Sequence, residues 1–375
     1  MKIAYFSDTF YPQVNGIVTS IINSSRILAE KGHKIFIFTI KTEGNIKLHR
    51  NIKLVRYASI NAFNYPGYEL AIPKMFDCLN NIRHFKPDVI HVHTPTLLGW
   101  MGLACGKLNK IPVVGTYHTI VPDFLKYFPL VDVSDSNTAK NIVWRYTNSF
   151  YKKCNIITTP SYTMKKELIK NGIDKKIKVI SNGVDLKLFH PKKRKAKNFR
   201  ILYVGRISYE KNIDVIFKAI SLFAKKCDKF EFYVAGAGPE LKKLKELASS
   251  LKISSHVRFL GAVNHKLLPE LYSSSDIFVN ASTIETEGIV ILEAMACGLP
   301  IIGVNKRAVP EIVKDSTNGF IVKDGDFKSM SKKIIELYNK TKLRNKMGQE
   351  SMKIAQKYDI SICVRKMEQI YKTVA

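Results

Sequence analysis

Apolar and polar positions follow two recurring patterns along the chain. Short runs of β-branched and aromatic residues are typical of buried strands, and apolar residues spaced three to four apart are typical of amphipathic helices. The two patterns alternate from end to end, which predicts parallel sheets with crossover helices. The predicted strands are Lys2–Phe6, Lys34–Thr39, Ile52–Tyr57, Val89–His93, Val113–Tyr117, Ile156–Thr159 and Ile177–Ser181, then Arg200–Val204, Glu231–Ala235, Val257–Leu260, Ile277–Val279, Ile301–Val304 and Gly319–Val322.

The apolar periodicity lapses once, between residues 186 and 199, where Pro191 precedes a Lys/Arg-rich run. Such a lapse marks a linker, so two doubly wound α/β domains are expected, at residues 1–188 and 189–357. The last helical segment, about residues 358–375, is too far from a following strand to complete a crossover unit. It is expected to pack back on the first domain.

Composition is that of a globular protein: of 375 residues, 46% are hydrophobic and 24% charged. No stretch approaches the ~20 apolar residues of a membrane span, and no secretory signal is recognised, so the cytoplasm is the expected location. The six cysteines are far apart and form no C-x-x-C pair, which predicts reduced thiols and no metal site. No G-x-S-x-G, H-E-x-x-H or Walker A sequence occurs, which argues against serine hydrolases, zincins and P-loop enzymes.

The formal net charge of +29 has three interpretations. The first is compositional: if the proteins of the source organism are generally rich in lysine, an even excess of basic residues is expected without any functional role. Attraction to an anionic membrane surface is the second, since each basic residue near such a surface contributes about 1 kcal/mol. Nucleic-acid binding is the third, but the excess is spread evenly over both halves of the chain, whereas nucleic-acid binders more often concentrate it. No nucleic-acid partner is expected.

The most informative segment for chemistry is residues 282–300, which follow a predicted strand. In open α/β sheets, ligands bind beyond the carboxyl ends of the strands, where amides at helix starts face anions. A helix is predicted to begin near Gly288, whose missing Cβ lets a diphosphate approach the amides of Gly288, Ile289 and Val290.

Two carboxylates in this segment suit a hydroxyl-rich ligand. Glu285 lies in the loop and Glu293 more than one turn inside the helix. Glu293 could face solvent, but its apolar neighbours favour a buried side chain, and a buried carboxylate needs partners.

Three further strand ends carry candidate ligand-binding residues. Gly205 precedes Arg206 and Lys211, which could converge on one phosphate pair. Gly236 and Gly238 form a glycine turn that lacks the third glycine of the dinucleotide fingerprint. Backbone groups after the next strand could contact a base edge; these belong to Ala262 and Val263.

The first half contributes a glycine turn and three histidines. Asn15 and Gly16 form a tight turn after the first strand. His118 lies in a polar run at the end of a strand, which favours a functional role over a core position. His91 and His93 lie on one strand, and at least one of them is expected to be structural.

Together these motifs resemble the retaining, nucleotide-sugar-dependent glycosyltransferases of family 4, which have the GT-B fold. The most specific element is E-x7-E, here Glu285 to Glu293 followed by 294–300. The resemblance covers nearly the whole chain. It implies two Rossmann-like domains facing across a cleft, with the acceptor on the first and the donor on the second. The other matching motifs are Gly16, Gly205–Asn212 and Gly236-x-Gly238.

The resemblance also implies a role for each residue. Arg206 and Lys211 would hold the donor diphosphate. Glu293 would bind the ribose hydroxyls, Glu285 the transferred sugar, and His118 would line the reaction centre. The nucleotide sugar is a co-substrate, and no tightly bound cofactor or metal is implied. The predicted catalytic residues are His118, Glu285, Arg206 and Lys211, and the predicted donor-binding residues are Gly16, Gly205, Arg206, Lys211, Gly236, Gly238, Ala262, Val263, Glu285, Gly288, Ile289, Val290 and Glu293.

Within the family, the chain looks most like enzymes that glycosylate diacylglycerol or related lipids. The segments that carry this likeness are Asp8–Gly16, Thr116–Thr119 and Glu285–Gly288. Two departures are Glu287, where E-T-Q-G is common, and Asn305–Glu311, which lacks a glycine before V-P-E. The expected reaction moves a hexosyl group from a nucleotide sugar, UDP-sugar favoured and GDP-sugar possible, to a hydroxyl of a membrane lipid such as diacylglycerol.

Three alternatives remain open from the residues alone. They are a glycosyltransferase with a soluble or polysaccharide acceptor, a sugar-nucleotide epimerase of the same fold, and a nucleic-acid-binding protein. For the lipid interpretation, Phe124–Val131 and Ile142–Lys153 combine aromatic and basic residues, as interfacial elements do. Trp144 and Phe150 could equally be core residues. The lipid interpretation implies a peripheral position on the inner face of the cell membrane.

Overall fold

The structure is a computed structural model that describes residues 1–13, 15–42, 46–61, 69–122, 136–192 and 198–375. It divides into two compact units, which we call the first unit (Met1–Asn182 with Ile360–Ala375) and the second unit (Gly183–Asp359). The second unit begins at Gly183, before the expected boundary at residue 188, because Val184 donates its N–H to the carbonyl of Tyr358 at 2.9 Å.

The first unit alternates strands and helices as its hydrophobic pattern predicts. Its strands are β1 (Lys2–Phe6), β2 (Lys34–Ile40), β3 (Ile52–Tyr57), β4 (Ser59–Asn61), β5 (Glu69–Ala71), β6 (Val89–Val92), β7 (Val113–Thr116), β8 (Ile156–Thr159) and β9 (Ile177–Val179). Its helices before residue 183 are α1 (Gly16–Glu30), α2 (Met75–Phe85), α3 (Leu97–Asn109), α4 (Asn137–Tyr151) and α5 (Tyr162–Lys170). Within the described residues, seven strands form one parallel sheet in the order β3-β2-β1-β6-β7-β8-β9.

The second unit repeats this scheme. Its strands are β10 (Phe199–Val204), β11 (Phe230–Ala235), β12 (Val257–Gly261), β13 (Ile277–Val279), β14 (Ile301–Val304) and β15 (Gly319–Val322). Its helices are α6 (Ile213–Ala224), α7 (Leu241–Ser250), α8 (Leu268–Ser273), α9 (Ile289–Ala296), α10 (Val309–Ile312), α11 (Phe327–Asn339) and α12 (Thr341–Gln356). Over its described part, a six-stranded parallel sheet runs in the order β12-β11-β10-β13-β14-β15, and the predicted α/β class is confirmed.

Burial on both faces explains why the strands read as continuous apolar runs. In β1, residues 3–6 are fully buried although successive side chains point to opposite faces. Parallel sheets covered by helices on both sides show this pattern. The antiparallel pair β4 and β5 was not predicted, because strands of three residues are too short to show a two-residue period.

The last helix, α13 (Ile360–Val374), belongs to the first unit. Its apolar face, which includes Val364 and Tyr371, joins the core cluster that contains Ile3 and Ile21 of β1 and α1. Burial of these side chains is the main force that holds the helix in place.

Buried hydrogen bonds also tie α13 to the sheet. The Tyr371 hydroxyl donates to the Tyr5 hydroxyl at 3.2 Å, and lies 2.5 Å from Nδ1 of His91. Nε2 of His91 lies 2.6 Å from Oγ1 of Thr116. Because Tyr371 uses its hydrogen on Tyr5, its oxygen accepts from Nδ1–H of His91, and Nε2 of His91 accepts from Thr116. His91 is therefore a structural residue.

None of the described helices combines the length and apolarity needed to cross a membrane. All six cysteines are free thiols, and Cys227 is less buried than the other five.

Replacement of Tyr371 by Phe should destabilise the protein by about 1–3 kcal/mol, because Nδ1–H of His91 and the Tyr5 hydroxyl lose a buried partner. Tyr162→Phe is the matched control, since that side chain is 65% exposed. Urea denaturation of both variants measures the difference. Equal stability of the two variants would show that the buried hydrogen bonds contribute nothing.

Candidate active site

The candidate donor site lies at the carboxyl edge of the second unit's sheet. Strands β10 and β13 pair in parallel, with Leu202 opposite Phe278, so both end at the same edge. The loops that follow these strands carry Lys211 and Glu285. This register brings together two segments that are 74 residues apart in sequence.

Helix α9 begins at Ile289, with Gly288 as its N-cap. Gly288 has a φ of +87°, a left-handed conformation that favours glycine. The carbonyl of Gly288 accepts from the amides of Ile291 and Leu292, at 2.9 and 3.1 Å. The amides of Ile289 and Val290 precede these bonds and have no intrahelical acceptor, so they can bind an anion.

An ion pair joins the loops after β10 and β13. Nζ of Lys211 lies 2.6 Å from Oε1 of Glu285, and both side chains are largely shielded from solvent. Lys211 ends a single 3-10 turn, Tyr209–Lys211, that follows the strand. The next residue, Asn212, donates from its side chain to the carbonyl of Ala281 at 3.3 Å, which fixes the two loops side by side.

Glu285 is a charged carboxylate despite its burial. Burial alone raises its pKa, but the Lys211 ammonium and hydrogen bonds from Ser282 and Asn280 outweigh burial, and the net pKa is lowered. The carbonyl of Glu285 also accepts the N–H of Ala308 at 3.1 Å, so the residue just before the V-P-E segment holds this loop. The site thus presents a fixed negative charge beside a fixed positive one.

Glu293 is 4% exposed, so the solvent-facing alternative is wrong. The Tyr272 hydroxyl of α8 donates to its Oε2 at 2.9 Å. Nε2 of His265 lies 3.5 Å from the other oxygen, Oε1. Tyr272 therefore fixes the carboxylate, and Oε1 retains capacity to accept from a ligand hydroxyl.

Close backbone packing accounts for two of the predicted glycines. A Cβ atom at Gly236 would lie 1.8 Å from the carbonyl oxygen of Gly205, and one at Gly238 would lie 2.1 Å from that of Ile207. The N–H of Ile207 donates to the carbonyl of Ala237 at 2.9 Å. These glycines let the loops after β10 and β11 pack against each other, so ligand contact is not needed to explain them.

The remaining donor-side residues lie at the same edge. The carbonyl of Arg206 accepts from the Tyr203 hydroxyl at 2.9 Å, which fixes the backbone at the arginine. Ala262 and Val263 follow Gly261, whose carbonyl accepts an N–H from the loop after β11 at 2.7 Å. Val263 packs against the core of the unit.

In the first unit, Gly16 begins α1 and Asn15 caps it, accepting from the amide of Val18 at 3.0 Å. His118 follows β7 and is buried, and burial lowers its pKa to about 3. Its Nε2 lies 3.1 Å from Nδ1 of His93. His118 is a neutral imidazole at physiological pH.

Three residues at these sites received no role from the sequence motifs, although Asp8 begins the Asp8–Gly16 segment. Asp8 is buried and accepts from Thr94 and from the amides of Ala71 and Leu98, which organises the loops after β1 and β6. Burial raises the pKa of Asp8. Tyr272 of α8 and His265 of the turn before α8 lie beside Glu293 because this part of the chain packs against α9, and no sequence motif predicts these contacts. Across the described parts of the chain, no His, Cys, Asp and Glu side chains cluster closely enough to hold a metal ion.

Family models match nearly the whole chain in two parts. The model described as Glycosyltransferase Family 4 matches residues 14–188, and the model described as Glycosyl transferases group 1 matches residues 186–354. Among curated proteins, the alpha-monoglucosyldiacylglycerol synthase of Streptococcus pneumoniae is 30% identical over 333 residues, which cover 85% of this chain and 74% of that protein.

Two solved structures share the fold. Sucrose-phosphate synthase from Thermosynechococcus elongatus superposes with a TM-score of 0.81 at 20% identity and covers 99% of this chain and 98% of its own. HepE of Anabaena, solved in complex with UDP, has a TM-score of 0.77 at 18% identity and covers 100% of both chains. With Glu285 paired to Lys211 and Glu293 buried in α9, these matches make the chain a member of glycosyltransferase family 4, the retaining glycosyltransferases of the GT-B fold that use nucleotide sugars.

Proposed function

We propose that this enzyme transfers a glucosyl or related hexosyl group from a UDP-sugar to a hydroxyl of diacylglycerol or a similar membrane lipid, with retention at the anomeric carbon. The observation that carries the donor half is the Lys211–Glu285 ion pair beside the start of α9. The lipid half is supported by the relative from Streptococcus pneumoniae, whose name describes a glucosyldiacylglycerol synthase.

We assign the donor's parts to the groups at this edge. The diphosphate lies against the amides of Ile289 and Val290, where the helix dipole favours negative charge. Lys211 has three N–H donors, so it can bind a phosphate oxygen while it keeps Glu285. The ribose hydroxyls donate to Oε1 of Glu293, the oxygen that Tyr272 leaves available.

During transfer, the bond between the anomeric carbon and the β-phosphate oxygen breaks, and negative charge grows on the departing diphosphate. Lys211, Arg206 and the α9 amides stabilise that charge. The acceptor hydroxyl attacks from the same face and passes its proton to the departing phosphate oxygen. Glu285, held charged by Lys211, hydrogen-bonds the transferred sugar and stabilises positive charge at the anomeric carbon.

We further propose that the enzyme works on the inner face of the cell membrane, as a peripheral protein. Support comes from the net charge of +29 and from α4, whose exposed face carries Ile142, Arg145 and Tyr146. Phe150 is fully buried and Trp144 packs against the core of the first unit, so both are core residues. The other predicted interfacial segment, Phe124–Val131, lies outside the described residues.

A matrix of donors and acceptors tests the function. The purified enzyme is incubated with UDP-glucose, UDP-galactose or GDP-mannose, each with diacylglycerol in anionic micelles or with soluble sugars. We expect an α-linked glycolipid from a UDP-sugar, identified by mass spectrometry and by NMR of the anomeric proton. Transfer only to soluble sugars would overturn the lipid acceptor. Turnover of the nucleotide sugar without any acceptor would favour an epimerase.

The ion pair predicts that removal of both charges restores the stability of the protein but not its transferase activity. Lys211→Met should destabilise the protein by about 3–5 kcal/mol, because the buried Glu285 carboxylate loses its counter-charge. The double variant Lys211→Met with Glu285→Gln should recover most of that stability and still fail to transfer. Thermal melting and the transfer assay measure the two effects.

Lys218→Met is the matched control for this pair. Lys218 pairs with Asp214 on the exposed face of α6, at 2.8 Å, and such pairs contribute less than about 1 kcal/mol. Normal transfer by the double variant would show that neither Lys211 nor Glu285 takes part in the reaction.

The membrane proposal predicts that Ile142→Ser weakens binding to anionic vesicles by about fivefold to thirtyfold, since an apolar side chain that inserts contributes roughly 1–2 kcal/mol. Leu267→Ser is the matched control, because Leu267 is 58% exposed but lies in the second unit, and Ile142 is 61% exposed. Co-sedimentation at low and high salt measures binding. An equal loss in both variants, or binding that ignores vesicle charge, would contradict the proposal.

A further inference from the structure

Two histidines of the first unit meet at the carboxyl edge of its sheet. Strands β6 and β7 pair in parallel, with Val92 opposite Gly115. His93 follows β6 directly, and its N–H donates to the carbonyl of Phe6 at 2.9 Å. His118 lies two residues beyond the end of β7. Backbone register therefore fixes the distance between the two rings.

The rings share one hydrogen bond. Nδ1 of His93 lies 3.1 Å from Nε2 of His118, and the rings are 5.4 Å apart at an interplanar angle of 20°. Both side chains are buried, and burial lowers the pKa of each, that of His118 to about 3. Both rings are neutral at physiological pH, so one of the two nitrogens must donate and the other must accept.

The surroundings of His93 decide the direction of this bond. Its other nitrogen, Nε2, is buried and has no hydrogen-bond partner among the described residues. The neighbouring His91 cannot serve it, since both of its nitrogens are bonded, to Tyr371 and Thr116. A buried N–H without a partner is rarer in proteins than a buried acceptor without one. His93 therefore keeps its hydrogen on Nδ1, where it donates to His118.

This direction sets the state of His118. Because Nε2 of His118 accepts, the single hydrogen of that neutral ring lies on Nδ1. Because Nε2 of His118 is bonded to His93, Nδ1 is the nitrogen of this ring that is left for a ligand. We propose that His93 is a positioning residue that holds His118 as the Nδ1–H tautomer, so that His118 donates a hydrogen bond to an oxygen of the bound sugar substrate. That this oxygen belongs to a sugar rests on the proposed function, whereas the tautomer of His118 does not depend on it.

The tautomer distinguishes this role from general-base catalysis. A base would need a bare nitrogen facing the acceptor hydroxyl, and the nitrogen left for a ligand here carries hydrogen. Histidine free in water favours the opposite tautomer, Nε2–H. An Nδ1–H tautomer of His118 in the enzyme would therefore report directly on the hydrogen bond from His93.

Nitrogen-15 NMR of the ligand-free enzyme tests the tautomer. The His118 signals are assigned by their loss in His118→Gln. We expect Nδ1 of His118 to be protonated in the wild type. In His93→Phe, which keeps the ring volume but removes the donor, His118 should revert to Nε2–H. In His93→Asn, an amide N–H near the position of Nδ1 should preserve the wild-type tautomer. An Nε2–H signal for His118 in the wild type overturns the proposal even if every variant fails to fold.

Kinetics with UDP-glucose and diacylglycerol test the consequence. We expect His93→Phe to lower kcat by about tenfold to a hundredfold, as loss of a positioned donor does, with KM for the nucleotide sugar nearly unchanged. His93→Asn should recover most of kcat, and the exposed His84→Phe should match the wild type. A loss of kcat in His93→Asn as large as in His93→Phe overturns the positioning role. If the enzyme transfers no sugar, the NMR result still decides the tautomer separately from the proposed function.

Discussion

A shielded ion pair between Lys211 and Glu285 is the interaction on which the donor site depends. The carboxylate is buried enough that its own desolvation disfavours charge, and only the adjacent ammonium and two polar neighbours keep it ionised. Loss of the Lys211 ammonium would leave the buried Glu285 carboxylate without a counter-charge, which is unfavourable. Parallel pairing of β10 with β13 supplies the geometry, since it ends both strands at one edge. The pair thus links the stability of the second unit to the charges that a nucleotide sugar needs.

In the first unit, the side chains of His91, His93 and His118 are buried, and each polar ring nitrogen needs a hydrogen-bond partner. His91 satisfies both nitrogens through Thr116 and the terminal helix, so it is part of the scaffold. His93 satisfies only one, on His118. The contrast shows how two histidines separated by one residue can differ: His91 holds α13 in place, and His93, just beyond the end of β6, shares a hydrogen bond with a neighbouring ring. Asp8 is also structural, because its carboxylate accepts hydrogen bonds that hold the loops after β1 and β6 together.

The sequence predicted those features that depend on local pattern. Parallel strands buried on both faces read as apolar runs, so their positions could be predicted closely, and the E-x7-E spacing located Glu285 and Glu293. Contacts made by packing could not be predicted this way. Tyr272 reaches Glu293 only because α8 and α9 lie together, and the Lys211–Glu285 pair depends on strand order. The pattern also suggested ligand contact for Gly236 and Gly238, where close backbone packing is a sufficient cause.

A crystal structure of the enzyme with UDP-glucose tests the central claim most directly. The account predicts ribose hydroxyls within hydrogen-bond distance of Oε1 of Glu293 and the diphosphate against the amides of Ile289 and Val290. Nζ of Lys211 should contact both a phosphate oxygen and Glu285. A nucleotide bound away from the start of α9, or a Lys211 that contacts Glu285 but no phosphate, would contradict it.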